Sequence, residues 1–330
     1  MEDVLVVVCP GQGAQAPGML SPWLELPGAR SQLQWLSAVC GLDLVAHGTT
    51  SDAATIRDTA VAQPLLVASG LVALRALLPS PEDVATAVSA TAGHSVGEIT
   101  AAVVAGVLTP EQALVLVRER GRAMAAAAAV TRTGMSAVVG GDPEEVEAAV
   151  ARAGATAANR NGGGQVVAAG TLEQLAALAA DPPARARVIP LQVAGAFHTE
   201  HMAPAVEVLE RYAPAIAPAD PRVLLLSNAD GAVVADGAQV LRRVVAQVAN
   251  PVRWDLCQET LAGLGVTGLV ELVPGGTLTG LARRSLPGVE AVALRTPDDL
   301  DAARDLLARH GAPAPQRTGA PSPHHPGSPA

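Results

Sequence analysis

The chain has 330 residues, of which 49% are hydrophobic, 16% charged and only 2% aromatic. That is enough to bury one large domain with an insertion, or two smaller ones, around a core of Leu, Val and Ala. A net charge of -9, with arginine supplying all 22 basic residues, argues against general nucleic-acid or anionic-membrane binding. Cys9, Cys40 and Cys257 are too few and too scattered for a disulfide framework or a zinc site, so buried free thiols in a reducing cytosol are expected. The opening Met-Glu-Asp lacks the basic segment of a signal peptide, and the apolar run 4–9 is far below membrane-spanning length. A soluble, cytoplasmic protein is the expectation.

In chain order, residues 4–9 read as a buried parallel strand running into the glycine loop Pro10-Gly11-Gln12-Gly13-Ala14-Gln15. Residues 60–78 read as a helix with Gln63-Pro64 near its start. Residues 84–92 read as a buried strand and 96–107 as an apolar helix, with Gly93-His94-Ser95-Val96-Gly97 between them, and a further helix spans about 110–129. Strands alternating with helices predict an α/β fold whose parallel sheet is covered on both faces. The pattern changes next: strand 134–140, helix 142–154 opened by Asp142-Pro143, strands 155–161 and 165–170 around a glycine-rich turn, helix 171–180 and strand 187–194. That order, β-α-β-β-α-β, is the signature of a ferredoxin-like unit. It predicts a small subdomain, 131–195, inserted in a large α/β domain made of 1–130 and 196–310. The large-domain pattern resumes with helix 204–213, strand 223–227, helix 237–248 and strand 269–273, which runs into Pro274-Gly275-Gly276. Residues 311–330, rich in Pro, Gly, Ser and Ala, read as a disordered tail, and its His324-His325 is too short for a metal site.

Residues 93–97 fit G-x-S-x-G, the nucleophile elbow of α/β-hydrolase-like domains, a strained strand-to-helix turn that presents a serine hydroxyl. Ser95 is the candidate nucleophile. A serine that only caps the helix is the blander reading, and the two are compatible, because a helix N-terminus also stabilises a developing oxyanion. A nucleophilic serine needs a base. Of seven histidines, His94 lies inside the elbow, where it helps shape the turn; His47 lies in a polar loop facing solvent; His310, His324 and His325 lie at or beyond the tail. His198 and His201 remain, in GAFHTEHM. His198 follows the last small-subdomain strand directly, where the chain would face a cleft between the domains, and is preferred as the base. No acidic partner stands out. Asp142 and Asp181 read as cap or loop residues, and a backbone carbonyl could orient the imidazole instead. Arg118, Arg120 and Arg122 diverge on a helix at about 100° per residue, so at most one or two can face a common site. An arginine aimed at the serine would select a substrate that carries a carboxylate. No metal site is evident, and the GQGAQ loop lacks both the Lys-Ser/Thr of a P-loop and the spacing of a dinucleotide fingerprint.

Seven ordered motifs, PGQGAQ (10–15), GHSVGE (93–98), RERGRAM (118–124), NGGGQVVAAG (161–170), GAFHTEHM (195–202), QVANPVRW (247–254) and GGTLTGL (275–281), together resemble the malonyl-CoA:acyl-carrier-protein transacylase family, related to the acyltransferase domains of polyketide synthases. The similarity covers about residues 4–308, and that family carries the same ferredoxin-like insertion. The resemblance implies Ser95 as the residue that becomes malonyl-serine and His198 as general base and acid, its ring oriented by the main-chain carbonyl of Gln247. It implies Arg120 as the partner of the malonyl carboxylate and the amides of Gln12 and Val96 as the oxyanion hole. Asn161 matches an Asn near the family's cleft. Phe197 completes an Ala-Phe-His pattern similar to that of malonyl-selective polyketide acyltransferases, where a bulky ring crowds an α-methyl group.

The implied reaction moves malonyl from malonyl-CoA to the phosphopantetheine thiol of acyl carrier protein by a ping-pong route, supplying fatty-acid biosynthesis. It needs no cofactor beyond these substrates, and a monomer is the default state. The carrier is acidic, so docking on this acidic chain requires a local arginine patch, for which Arg160, Arg185, Arg187, Arg283 and Arg284 are candidates. The alternatives are a stand-alone acyltransferase of a polyketide pathway, a serine hydrolase or thioesterase, and a non-catalytic docking module. Gln247 in place of an acid disfavours the hydrolase, and the intact set Ser95, Arg120, His198 and Gln247 disfavours the module.

Overall fold

Leu5–Cys9 (β1) is an unbroken apolar run, and all five of its residues are buried, as a strand covered on both faces requires. In the computed structural model, which describes residues 3–311, β1 is the middle strand of a five-stranded parallel sheet. Its neighbours are Ala90–Gly93 (β2) on one side and Gly268–Glu271 (β9) on the other, with Leu224–Leu225 (β7) and Glu290–Ala293 (β10) at the edges. The tail read over 311–330 lies outside the described residues from 312 onward, as does His324-His325. Register pairs Cys9 with Gly93, which sets the glycine loop after β1 beside the elbow after β2. The connection from β1 leads toward β2 and that from β9 toward β10. The chain therefore leaves neighbouring strands in opposite directions, and a crevice opens beyond their carboxyl ends, where ligands of open α/β sheets bind.

Helices cover both faces. Thr59–Leu77 and Pro110–Ala128 pack closely, because Gly121 has no side chain; a Cβ there would stand 2.8 Å from the Thr59 carbonyl oxygen. Thr59–Leu77 is long and apolar enough to cross a membrane, but most of it is buried in the core of this fold. All three cysteines are buried and free.

A second sheet is built from Thr133–Gly140 (β3), Thr156–Gly162 (β4), Gln165–Thr171 (β5) and Ala186–Pro190 (β6) in the order β6-β3-β5-β4, all antiparallel, with helices Pro143–Arg152 and Leu172–Ala180 in the crossovers. This is the ferredoxin-like arrangement. The short strand Val252–Arg253 (β8) pairs parallel with β4, Asn159 opposite Val252, so the sheet takes a fifth strand from far along the chain.

Some local expectations fail. The strand read over 84–92 is only Ala90–Gly93; Pro81–Ala87 is a helix. Ser80 and Asp83 form a capping box with Pro81 at the first position, and that local signal outweighs the apolar composition that follows. The strand read over 223–227 is reduced to Leu224–Leu225, with Leu226 in an isolated bridge to Val233. His47 lies in the short helix Leu44–Thr49, half-buried with its Nδ1 3.0 Å from Ser51 Oγ, and not in a solvent-facing loop. Helices Ala29–Cys40, Trp254–Gly263, Thr277–Ser285 and Leu300–His310 carry no clear sequence signal; amphipathic stripes rich in Ala, Arg and Gln are weak without their packing partners.

Candidate active site

The elbow is a tight turn between β2 and the helix Gly97–Val104. Ser95 sits there at φ +53°, a left-handed conformation that a side chain adopts only under constraint. Two glycines impose it. A Cβ on Gly93 would run into the backbone of Gly97, and one on Gly97 into the carbonyl oxygen of Cys9. Asn228 ties the turn from outside: its Oδ1 accepts the Ser95 N–H at 2.8 Å and its Nδ2 donates to Gly93 O at 2.8 Å.

Ser95 Oγ lies 2.7 Å from His198 Nε2, and His198 Nδ1 lies 2.9 Å from the main-chain oxygen of Gln247. Because a carbonyl only accepts, Nδ1 carries the proton and Nε2 presents its lone pair to the serine hydroxyl. Burial, and then the positive charge of Arg120, hold His198 down at about 3, so the ring is neutral and ready to accept. His198 is itself at φ +62°, a second strained residue facing the first. His201 is half-buried in the turn Glu200–Met202 and does not bond the serine. Neither acidic candidate reaches the imidazole: Asp142 caps the helix Pro143–Arg152, and Asp181 pairs with Arg152.

The three arginines diverge. Arg118 and Arg122 both pair with Glu119, whereas Arg120 points inward and is 1% exposed. Its Nη1 donates to Gln63 Oε1 at 2.7 Å and its Nη2 to Gln247 Oε1 at 2.8 Å, and its buried Nε has no partner among the described residues. Glu98 completes the cluster, accepting from the Gln247 side chain and from the Asn228 N–H.

A chamber of about 80 Å³ lies over the Ser95–His198 pair, lined among others by Ser95, His198, Gln12, Gln63, Met124 and Phe197. Gln12, His94, Asn159 and Leu191 also line a larger cleft of about 500 Å³ between the two sheets, so the chamber opens outward through it. The amides of Gln12 and Val96 bond no protein acceptor among the described residues, which leaves them available to an oxyanion. Phe197 is buried in the chamber wall. Asn161 lies on the cleft and spends its side chain on His94 Nε2 at 2.8 Å and Gln165 Oε1 at 2.9 Å, holding the elbow histidine in place. Among the described residues, no cluster of His, Cys, Asp or Glu could hold a metal ion.

Gln63, Glu98 and Asn228 join the site without having been singled out as functional by sequence. Gln63 carried a faint signal, a polar residue in an otherwise apolar helix. Asn228 carried none. Of the candidate docking arginines, Arg160 is held by Glu147 through two nitrogens, at 2.7 and 2.8 Å. Arg185 is exposed just before β6 and Arg187 exposed within it, and Arg283 and Arg284 are exposed in the last turn of Thr277–Ser285, a helix whose Thr277, Leu278 and Leu281 line the cleft.

The acyl transferase domain family model matches residues 6–293. The malonyl CoA-acyl carrier protein transacylase of Mycobacterium tuberculosis is 49% identical over 307 residues, covering 92% of this chain and all of that protein. The protein of the same name from Bacillus subtilis is 32% identical, over 89% of this chain and 94% of its own length. Among solved structures, MCAT from Mycobacterium tuberculosis superposes with a TM-score of 0.88 at 49% identity, covering 91% of this chain and 99% of that one. A malonyl-transacylase in complex with its type II PKS acyl-carrier protein superposes with a TM-score of 0.84 at 30% identity, over 92% and 99% of the two chains. A serine elbow, a histidine steered by a carbonyl and a buried arginine, in a chain matched over 89–92% of its length by such relatives, place it in the malonyl CoA-acyl carrier protein transacylase family of acyltransferases.

Proposed function

We propose that this chain transfers the malonyl group of malonyl-CoA to the phosphopantetheine thiol of acyl carrier protein through a malonyl-Ser95 intermediate. The observation that carries the reading is Arg120: a fully buried cation, one carboxamide away from a Ser–His pair, held among the described residues by two neutral amide oxygens. A carboxylate is a stronger acceptor than those amides, and a bidentate guanidinium pair selects it by geometry.

Ser95 Oγ attacks the thioester carbonyl while His198 Nε2 takes the hydroxyl proton. The Gln12 and Val96 amides hold the developing oxyanion, helped by the N-terminus of the Gly97–Val104 helix. His198 returns the proton to the departing CoA sulfur. The carrier thiol then enters through the same cleft, gives its proton to His198 and attacks malonyl-Ser95; His198 passes that proton to the departing Ser95 Oγ, which frees the serine. The Gln247 carbonyl keeps the ring in its productive tautomer, so no acid is needed. Asn161 acts through His94 in this scheme, and Phe197 narrows the space beside the malonyl α-carbon.

Both acyl carriers are substrates, and the chemistry calls for no resident cofactor. The reading is of a soluble, cytoplasmic monomer with its large domain in 1–130 and 196–310 and its small one in 131–195, supplying malonyl units for fatty-acid synthesis. The likeness to a transacylase solved with its PKS carrier favours, as a second reading, supply of a polyketide pathway.

Intact-protein mass spectrometry tests the proposal. Wild type mixed with malonyl-CoA should gain one malonyl adduct, Ser95→Ala none, and holo acyl carrier protein should discharge it. CoA release with no adduct would point to hydrolysis instead.

A further inference from the structure

Glu98 lies in the first turn of the helix that follows the nucleophile and is 5% exposed, a carboxylate where a lone charge is costly. Its Oε1 accepts the Asn228 N–H at 2.6 Å and its Oε2 accepts from Gln247 Nε2. The same carboxamide accepts, through Oε1, from Arg120 Nη2 at 2.8 Å. Carboxylate, carboxamide and guanidinium thus stand in line, and among the described residues the amide links the acid to Arg120.

Burial pushes Glu98 up to about 7, against the hydrogen bonds from Asn228 and Gln247 and the attraction of Arg120 and Arg243. The other groups facing it are few. Arg243, on the helix Gly237–Ala246, is paired with Asp230 at 2.6 Å. The Cys257 thiol, on Trp254–Gly263, is pushed up by burial and stays neutral. His198 lies beyond Gln247.

We propose that Glu98 is the resting counter-ion of Arg120, relayed through the Gln247 amide, and that it takes up a proton from solvent when a malonyl carboxylate pairs with Arg120. This rests on the reading that Arg120 receives the carboxylate. Two carboxylates around one buried guanidinium leave a net negative charge in a low-dielectric interior, and the acid already poised to protonate is the one that gives way. The hydrogen bonds at Glu98 close as well, at the cost of the Gln247 Nε2 donations to Ser95 O at 3.1 Å and Asn228 Oδ1 at 3.2 Å. In the resting site both Glu98 oxygens face donors, which suits only the ionised form. A malonyl carboxylate that takes Arg120 Nη2 frees Gln247 Oε1, and the rotated amide then offers that oxygen to the new Glu98 O–H. The proton leaves again when the malonyl group departs on the carrier thiol, so the cycle balances.

Malonyl binding favours protonated Glu98, so affinity is full below about pH 7 and declines as pH rises through it. The probe is Ser95→Ala, which binds malonyl-CoA without reacting. Titration calorimetry at pH 7 in buffers of different ionisation enthalpy should show uptake of about half a proton per malonyl-CoA, after subtraction of an acetyl-CoA control, and a Kd rising toward about tenfold per pH unit above 7. Adding Glu98→Gln should abolish the uptake while malonyl-CoA still binds. No uptake by Ser95→Ala, or uptake that survives Glu98→Gln, overturns the proposal and leaves Arg120 as the carboxylate's partner if Arg120→Ala still weakens malonyl-CoA alone. Malonyl-CoA binding indifferent to Arg120→Ala overturns that reading and the proposal with it. If the Glu98 variant does not fold, infrared difference spectra of Ser95→Ala decide: malonyl-CoA should bring up the carbonyl stretch of a protonated carboxyl group, and its absence overturns the proposal.

Discussion

Replacing Arg120 with alanine removes a guanidinium that is 1% exposed and holds two carboxamide oxygens at 2.7 and 2.8 Å. If the malonyl carboxylate takes those donors, the loss is that of one partner of a buried ion pair, about 3–5 kcal/mol. At about 1.4 kcal/mol per tenfold, kcat/KM for malonyl-CoA should fall by about 10²- to 10⁴-fold. Acetyl-CoA has no carboxylate to lose, so its rate of acylating Ser95 should change by less than about tenfold. A second effect has a defined sign. After burial, the charge of Arg120 is the next largest influence holding His198 at about 3. The base works in its neutral form, so activity is present above that value and lost as pH falls through it. Without Arg120 the value rises, and the acid limb of acylation moves to higher pH. Single-turnover acylation by both donors, followed by intact mass across pH, reads both effects. Equal losses with malonyl-CoA and acetyl-CoA, with an unmoved acid limb, would refute the assignment of Arg120. Lysine should rescue poorly, since an ammonium cannot reproduce the planar fork.

Phe197→Ser should relax selection against methylmalonyl-CoA by about 1–3 kcal/mol, measured as the ratio of kcat/KM for the two donors; an unchanged ratio would remove Phe197 from the specificity wall. Arg283→Glu with Arg284→Glu should raise KM for holo acyl carrier protein and flatten its salt dependence while leaving acylation by malonyl-CoA intact. Glu271 is fully buried and accepts the N–H groups of Gly276, Leu278 and Thr279 at 2.8, 2.9 and 2.8 Å, so Glu271→Ala orphans the start of the helix Thr277–Ser285. It should cost about 2–5 kcal/mol in urea unfolding; a midpoint unchanged from wild type would contradict that role. Arg120→Ala should also let more malonyl-serine fall to water than to the carrier thiol, read as free malonate against malonyl carrier in the discharge reaction.

The elbow was legible because its causes are local. Gly93 and Gly97 are required by contacts within the turn and with the adjacent strand, so their spacing around Ser95 survives in the sequence as a motif. The ferredoxin-like order was legible for a similar reason, since hairpin turns and helix caps such as Asp142-Pro143 and Thr171 mark their own boundaries. The helix Pro81–Ala87 was missed where a capping box competed with a β-rich run, and β8 was missed because two residues carry no periodicity. The order of residues along the chain is enough to say which groups could do chemistry at the turn, that the sheet is parallel and that three nearby arginines must diverge. Packing in three dimensions selects the arginine that turns inward and the groups that satisfy it. Gln63, Glu98, Arg120, Asn228 and Gln247 come from five separate segments and meet through hydrogen bonds in the buried interior. A buried polar group takes its partner from whichever segment the packing brings near, and sequence spacing holds no record of that choice.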